Sequence, residues 1–156
     1  MHILFKHDGL VEYHPDFLND IESDRYFQSL TKEIDWQQDQ LIMFGKHITT
    51  KRKVAWHGDQ DYEYIYSNNK KTAKAWTDSL ISIKNQLQTY TGEQFNACLL
   101  NYYLDGSEGM GWHSDNETMM KQHATIASIS LGATRTFLFR HKYSQDQHTV
   151  ELENGS

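Results

Sequence analysis

The sequence predicts a single α+β domain in which two helices cover a mostly antiparallel set of strands. Apolar residues recur at helical spacing in two stretches, and the other apolar segments are short, rich in β-branched and aromatic residues and bounded by turn formers. The length of 156 residues is typical of one domain with a sizeable core. Because helices and sheets bury their apolar sides against each other, we expect a sandwich or barrel core.

The first helix is predicted over residues 20–34, with Asp20 or Ser23 as its N-cap. Its apolar face consists of Tyr26, Phe27, Leu30 and Ile34. The second helix is indicated by an apolar stripe that repeats every three or four residues and ends before Gly92, a suitable C-terminal cap. This stripe, which we interpret as core, consists of Trp76, Leu80, Ile83, Leu87 and Tyr90.

The remaining predicted elements are short strands that alternate apolar and polar residues or form brief apolar runs. They cover residues 41–44, 54–57, 62–66, 95–103, 125–131, 136–140 and 149–152. The apolar runs are too short to cross a membrane, and the N-terminal segment lacks the apolar length of a signal peptide. We therefore expect no membrane partner and a cytoplasmic location. The one cysteine, Cys98, excludes disulfides and cysteine-rich metal sites.

Charge is unevenly distributed along the chain. The net charge of −6 argues mildly against a nucleic-acid partner, because phosphate binding usually requires a basic surplus. Residues 44–54 nevertheless hold four basic residues and no acidic one, namely Lys46, Lys51, Arg52 and Lys53. This segment is either a local phosphate-binding patch or an ordinary solvated loop.

Three His-x-Asp pairs are present, and their surroundings distinguish them. His14 and Asp16 precede the first helix, and His57 and Asp59 lie in a predicted turn. The third pair, His113 and Asp115, follows a predicted strand and a glycine-containing loop inside the densest β region. Residues two apart on extended backbone project to the same side, so this pair could bind one metal ion. The alternative is a loop histidine hydrogen-bonded to its neighbour.

Taken together, the motifs resemble the AlkB family of iron and 2-oxoglutarate-dependent dioxygenases, which repair alkylated bases. The resemblance covers residues 41–156 and depends on the order and spacing of several short motifs. These are F-G-K at 44–46, R-K at 52–53, H-G-D at 57–59, N-x-Y at 101–103, H-x-D at 113–115 and A-S-I-S-L-G-A-T-R-T-F at 127–137. The F-G-K segment is similar to the branch of the family that acts on duplex DNA.

The resemblance implies a fold, a co-substrate and a metal. The fold would be a double-stranded β-helix, or jelly roll, with the two N-terminal helices packed on the sheet. Residues 1–156 would form one domain, in which residues 40–95 recognise the nucleotide and residues 95–156 form the first part of the catalytic core. His113 and Asp115 would bind Fe(II), and Asn101 and Tyr103 would hydrogen-bond 2-oxoglutarate. Reaction with O2 would oxidatively demethylate N-alkylated DNA bases, releasing formaldehyde, succinate and CO2.

The same resemblance implies that the protein acts on alkylated duplex DNA as a monomer, and it implies the residues that contact this substrate. Phe44, within the finger Phe44, Gly45 and Lys46, would be a wedge that helps to flip the damaged base out of the stack. Further contacts would come from His57, Gly58, Asp59, Asn116 and Glu117. His57 stands where a tyrosine is usual and Asn116 where an aspartate is usual, so the lesion stays open.

The family pattern continues beyond Ser156 with a second iron histidine, an arginine that pairs with 2-oxoglutarate and the last jelly-roll strands. We therefore expect a truncated piece of a longer enzyme that binds iron weakly unless a local histidine substitutes. His148 is a poor substitute because it precedes the last predicted strand. Two other functions are left open: the same chemistry on RNA or single-stranded DNA, and a catalytically incomplete module that binds nucleic acid or protein. A zinc hydrolase is disfavoured because the pair lacks an H-E-x-x-H helix or cysteine ligands.

Overall fold

The computed structural model describes residues 2–5, 9–43, 46–59, 63–66, 69–115 and 124–156. The two helices and the antiparallel strand pairs found in these ranges confirm the α+β class. In chain order the elements are β1 (His2–Phe5), β2 (Val11–Tyr13), α1 (Asp20–Glu33), β3 (Gln37–Met43), β4 (Lys46–Gly58), β5 (Glu63–Tyr66), β6 (Asn69–Thr72), α2 (Asp78–Thr91), β7 (Ala97–Tyr102), β8 (Arg135–Arg140) and β9 (Gln147–Leu152). Within the described ranges, neither helix is both long and apolar enough to cross a membrane.

The chain forms two compact units. One consists of residues 1–32 and 127–156 and holds α1 with the strand pairs β1–β2 and β8–β9. The other consists of residues 33–126 and holds α2, the hairpin β5–β6 and a three-stranded sheet in the order β3–β4–β7. The organisation as one domain, with nucleotide recognition at residues 40–95 and the catalytic core from residue 95, stays a prediction.

Helix α1 begins as predicted, but neither predicted residue caps it. The Asn19 side chain accepts a hydrogen bond from the Glu22 backbone N–H at 3.0 Å, and the Glu22 carboxylate accepts one from the Asn19 side chain at 2.5 Å. Asn19 is therefore the N-cap and Glu22 its reciprocal partner. Ser23 lies inside the helix, where its buried hydroxyl donates to the carbonyls of Asn19 and Asp20.

Helix α2 confirms the predicted C-terminal cap. Gly92 adopts a left-handed φ of 75°, and its N–H donates to the Gln88 carbonyl at 2.9 Å. The predicted apolar stripe is only partly core: Leu80 and Ile83 are buried, whereas Tyr90 is 58 % exposed. Tyr90 lies in the last turn, one residue before the helix ends. The interpretation of the whole stripe as core was therefore wrong at its C-terminal end.

The predicted strand at residues 125–131 is wrong, because the described part of that stretch has no regular secondary structure. A strand requires a partner along its length. Here, the backbone hydrogen bonds seen for this stretch are those of Ser130, which pairs with Gly155 and Ser156 in a turn. Conversely, β1, β2 and β6 were not predicted. They have only three or four residues each, and β6 is entirely polar, so none of them carries a strong strand pattern.

Gly155 joins three segments of the first unit. Its carbonyl accepts from the Leu18 N–H at 2.9 Å, and its own N–H donates to the Ser130 carbonyl at 2.8 Å. The residue has a φ of +84°, and a Cβ at this position would lie 2.4 Å from the Leu18 carbonyl oxygen. Leu18 is among the most deeply buried side chains. Only glycine therefore fits at position 155 without a rearrangement of the surrounding backbone.

The three-stranded sheet of the second unit places one set of side chains on a common face. Val54 pairs with Asn101 and Trp56 with Leu99 across β4 and β7. Since side chains alternate along a strand and directly paired residues point to the same side, these four residues and Arg52 share that face. This is the face of the sheet that bears the predicted co-substrate residue Asn101.

The pairing of β3 with β4 contains an irregularity. Gln38 pairs with Lys53 but Gln40 pairs with Thr49, so Asp39 alone stands opposite residues 50–52. The extra residues of β4 form a bulge, which locally bends a strand and redirects its side chains. The Thr50 hydroxyl donates within this bulge to the carbonyls of Asp39 and Arg52. The bulge therefore places Asp39 beside Arg52.

Candidate metal and co-substrate site

The loop that leads from β7 to His113 is organised by local hydrogen bonds. The Glu108 carboxylate accepts from the Leu104 N–H at 2.7 Å, and the Asp105 carboxylate accepts from the Ser107 N–H at 2.7 Å. Its three glycines, at positions 106, 109 and 111, have no left-handed φ, and a Cβ on any of them would meet open space. The loop therefore does not depend on glycine to adopt its backbone conformation.

His113 and Asp115 lie side by side at the end of this loop. The His113 Nε2 atom is 3.6 Å from Asp115 Oδ1, and the two side chains are 44 % and 50 % exposed. The His113 Nδ1 atom lies 2.9 Å from the Gly111 carbonyl oxygen. A carbonyl can only accept, so this hydrogen bond requires the proton to be on Nδ1. In the neutral ring the lone pair is then on Nε2, the atom that faces the carboxylate.

This arrangement suits a divalent metal ion. In an octahedral site with bonds of about 2.1 Å, adjacent donor atoms lie about 3 Å apart, close to the separation of Nε2 and Oδ1 here. Orientation of a metal-binding imidazole by a backbone carbonyl is the usual outer contact of such ligands. The residues present therefore fit two neighbouring positions of an iron site of the His and carboxylate type. Across the described ranges, no cluster of three or more His, Cys, Asp or Glu side chains could hold a metal.

Asn101 is held by Arg52, one of the four basic residues of the candidate phosphate-binding patch. Arg52 Nη1 donates to Asn101 Oδ1 at 2.8 Å, and Nη2 donates to Asp39 Oδ2 at 2.9 Å. The Arg52 and Asp39 side chains are only 7 % and 3 % exposed. A buried, paired guanidinium cannot reach a phosphate backbone, so Arg52 has to be removed from the basic patch.

A cavity of about 270 Å³ lies against the Asn101 face of the sheet. Arg52, Asp39 and Asn101 contribute to its wall, together with apolar side chains such as Val54 and Leu99. Lys74, also in the wall, forms an ion pair with Asp35, and its hydrogen bond holds the pKa of that carboxyl below its ordinary value. The cavity thus combines an apolar wall with paired charges, as small-molecule sites commonly do.

Tyr103, the second predicted co-substrate residue, directly follows β7 and is half-buried. It lies two positions after Asn101. Cys98, at the other end of β7, behaves as the predicted apolar residue, because burial raises the pKa of its thiol to about 11. The polar side chains of β7 therefore lie only at its C-terminal end.

The predicted base contacts at 57–59 are largely engaged by the protein itself. His57 is 3 % exposed, and its Nδ1 lies 2.7 Å from the Ala75 carbonyl oxygen. Gly58 is buried, and its N–H donates to the Lys74 carbonyl at 2.9 Å. Asp59 accepts hydrogen bonds from Trp76 at 2.6 Å and from Lys84 at 2.5 Å. Their contact with a flipped base stays a prediction, and it would require Asp59 to give up part of an existing ion pair.

The Asp59 ion pair predicts an acid-sensitive contribution to stability. The hydrogen bond from Lys84 holds the pKa of this carboxyl below its ordinary value of 3.8. The stabilisation is therefore fully present above pH 3.8 and is lost as pH falls through the lower folded-state pKa. Since the Asp59 side chain is 43 % exposed, solvent screening limits the effect to about 1 kcal/mol or less.

We expect urea unfolding to give a stability difference between the wild type and Asp59→Asn that is constant near neutral pH and shrinks below pH 3.8. The Lys84→Met background is the control, because it removes the main cause of the lowered pKa. A difference that is independent of pH, or equally large in that background, would contradict the assignment.

Four predicted substrate residues lie outside the described ranges, namely Phe44, Gly45, Asn116 and Glu117. Lys46 is the first residue of β4. The sequence interpretation missed Asp39, the buried partner of Arg52. Its one sequence signal is an acidic residue in the polar first half of β3, which a strand pattern does not distinguish from a solvated position.

Comparison with known proteins places the chain among oxygenases. Residues 10–156 match the family model of the 2OG-Fe(II) oxygenase superfamily. The DNA oxidative demethylase ALKBH2 of Homo sapiens is 38 % identical over 127 residues, covering 80 % of this chain and 49 % of the relative. Its Bos taurus counterpart is 37 % identical over 130 residues, with coverages of 81 % and 47 %.

A second group of relatives is similar. The alpha-ketoglutarate-dependent dioxygenase alkB homolog 3 of Bos taurus is 34 % identical over 128 residues, covering 82 % of this chain and 44 % of the relative. The chain spans about half the length of the curated relatives that it matches. The family match extends over both compact units and includes the His113–Asp115 pair. The chain therefore belongs to the 2OG-Fe(II) oxygenase superfamily.

Proposed function

We propose that the protein is an Fe(II)- and 2-oxoglutarate-dependent dioxygenase that removes alkyl groups from N-alkylated bases in DNA. The observation that carries the proposal is the His113–Asp115 pair, in which a carbonyl orients the imidazole so that its lone pair faces the carboxylate. The substrate is supported by relatives that are named DNA oxidative demethylases. The superfamily match also supports a jelly-roll arrangement of the antiparallel strands.

In this mechanism the residues of the chain bind and orient the reactants. His113 Nε2 and Asp115 Oδ1 would hold Fe(II), and Asn101 and Tyr103 would hydrogen-bond 2-oxoglutarate. With these groups and O2 bound, the iron centre supplies the oxidation that turns an N-methyl group into formaldehyde while 2-oxoglutarate becomes succinate and CO2. The half-exposed positions of both metal-binding side chains leave room for co-substrate and oxygen.

The finer features of the substrate are also proposals. A methyl group on the pairing edge is inaccessible inside a stacked duplex, so the nucleotide has to flip out at a cost of a few kcal/mol. Phe44 would compensate part of the lost stacking by inserting into the duplex. Lys46, Lys51 and Lys53 remain as candidate phosphate contacts. We propose that the protein acts on duplex DNA as a monomer.

The proposal is tested by an anaerobic titration of the 156-residue chain with Fe(II) in the presence of 2-oxoglutarate. The visible charge-transfer band of a chelated iron–2-oxoacid complex is the readout. We expect a weak band in the wild type that requires an excess of Fe(II), because the described residues supply two protein ligands, and we expect its loss in His113→Ala. The matched control is His14→Ala, because His14 also belongs to a His-x-Asp sequence but has Glu12 as its carboxylate neighbour at 3.6 Å. Absence of the band in the wild type, or its retention in His113→Ala, would refute the proposal.

Strand preference is tested by Phe44→Ala. Loss of an inserted aromatic ring removes stacking worth about 1–3 kcal/mol, which corresponds to a decrease of roughly ten- to a hundredfold. We expect this decrease in formaldehyde release from duplex oligonucleotides that contain an N-methylated base, and little change with the single-stranded form. An equal decrease in formaldehyde release from both forms would exclude Phe44 as a wedge that is specific to duplex DNA. No decrease with either form would favour RNA or single-stranded DNA as the substrate.

A further inference from the structure

We propose that Arg52 is a positioning residue that fixes the orientation of the Asn101 amide, so that the Asn101 Nδ2 group is presented to 2-oxoglutarate as a hydrogen-bond donor. This inference rests on the proposed function for the identity of the ligand. The orientation itself depends only on contacts within the protein.

The two ends of the Asn101 amide differ in the hydrogen bond that they can form with Arg52. Arg52 Nη1 lies 2.8 Å from Asn101 Oδ1. A guanidinium has five N–H donors and no acceptor, so only the oxygen of the amide can form this hydrogen bond. An amide turned by 180° would place an NH2 group against the guanidinium and lose the contact. Arg52 therefore selects one of the two amide orientations.

Arg52 is itself held in place by a buried ion pair. Its Nη2 donates to the Asp39 carboxylate at 2.9 Å, and both side chains are almost completely buried. Met110 Sδ lies 3.5 Å from Nη1 and closes the other side. A buried, charge-paired guanidinium has a fixed position, whereas a solvated arginine would sample many rotamers. The bulge that sets Asp39 opposite residues 50–52 provides this arrangement.

The Asn101 Nδ2 group is the end of the amide that does not contact Arg52. No described residue accepts a hydrogen bond from Asn101 Nδ2, although Asn101 is exposed and contributes to the wall of the cavity. With Oδ1 turned toward Arg52, the Nδ2 group is left to donate to a ligand. Carboxylate and keto oxygens of a small 2-oxoacid are acceptors only, so they match this group.

The negative charge of Asp39 already balances the positive charge of Arg52. The effect of Arg52 on the orientation of the Asn101 amide can therefore be separated from a simple attraction of the anionic ligand. A lysine at this position would keep the charge. Its ammonium is a compact point charge and cannot reproduce the planar fork that contacts Asp39 and Asn101 at the same time. Arg52→Lys therefore distinguishes the two roles: attraction of an anion predicts no change in affinity, and positioning predicts a loss.

The experiment measures 2-oxoglutarate affinity by calorimetry in the presence of Mn(II), which replaces Fe(II) without turnover. We expect the dissociation constant to rise about tenfold or more in Arg52→Lys and in Asn101→Ala, as for loss of a charge-assisted hydrogen bond. The matched control is Arg25→Lys, because Arg25 is exposed on α1 and stacks over the Tyr26 ring. Its affinity should equal that of the wild type.

A second variant guards against misfolding. Asp39→Leu combined with Arg52→Met removes both members of the buried pair, and such apolar replacement is commonly neutral for stability. We expect its thermal unfolding to stay close to that of the wild type while its 2-oxoglutarate affinity falls as in Arg52→Lys. The side-chain amide signals of Asn101 in NMR spectra give a ligand-independent readout, and we expect them to shift in both Arg52 variants.

Each outcome has one interpretation. If Asn101→Ala weakens binding and neither Arg52 variant does, the inference is overturned and the proposed function stands. If the wild type binds no 2-oxoglutarate, the proposed function fails, and with it the ligand named here. In that case, Asn101 amide signals that are the same in Arg52→Lys as in the wild type would also overturn the claim that Arg52 orients the amide.

Discussion

Replacing Asp115 by asparagine is expected to lower formaldehyde release from an N-methylated duplex about a thousandfold, since a metal centre contributes several kcal/mol to such reactions. An amide keeps the shape of the carboxylate but loses the charge that a divalent cation requires. The Asp115 side chain is half-exposed at the end of a loop, so its replacement should leave thermal unfolding unchanged. The variant therefore separates metal binding from folding.

Two further substitutions make this result interpretable. Asp115→Glu keeps the charge but moves the carboxylate by one methylene, and we expect activity between that of the wild type and that of Asp115→Asn. Asp16→Asn changes another His-x-Asp sequence and should be silent. Wild-type activity in Asp115→Asn would show that the metal, if required, is held elsewhere.

Gly155→Ala is expected to destabilise the first compact unit by about 3 kcal/mol or more. A left-handed conformation costs a non-glycine residue about 1–2 kcal/mol, and the added Cβ would lie 2.4 Å from a backbone carbonyl oxygen. That oxygen belongs to Leu18, whose side chain is deeply buried, so the backbone cannot move aside cheaply. The hydrogen bonds from Leu18 and to Ser130 would be strained together.

The measurement is urea unfolding monitored by hydrogen exchange, which separates the two units. We expect faster exchange in residues of the first unit, including the N–H of Leu18. Gly9→Ala is the control, because a Cβ at that position meets open space and the backbone φ is not left-handed. Equal stability of Gly155→Ala and Gly9→Ala would mean that the backbone around position 155 can shift to accommodate the added Cβ.

The elements that the sequence predicts well are those whose cause is local. Helix α2 is fixed by its repeat and by Gly92, and both lie within the segment itself. The pair His113 and Asp115 is likewise local, since two residues of separation already bring the side chains together. The segment at 125–131 has an equally clear pattern, but no strand among the described residues pairs along it, and a pattern alone cannot supply a partner.

The environment of Asn101 could not be predicted, because it depends on contacts between distant positions. Arg52 is 49 residues from Asn101, and its orientation toward Asp39 depends on an irregular register between β3 and β4. A regular hairpin would have placed different residues opposite each other. From the sequence, Arg52 is one basic residue among four, and burial alone distinguishes it from its neighbours.

The bulge opposite Asp39 also divides β4 into two segments. The side to which residues point in one segment does not determine the side to which they point in the other. Residues 53–58 pair with β7, and the first two of them also pair with β3, whereas residues 46–49 pair with β3 alone. Changes in the pairing of residues 46–49 with β3 are therefore expected to leave Asn101 beside its cavity, provided that Asp39 and residues 50–52 are kept. The part of β4 before the bulge can change in this way while the face of the sheet that bears Asn101 stays constant.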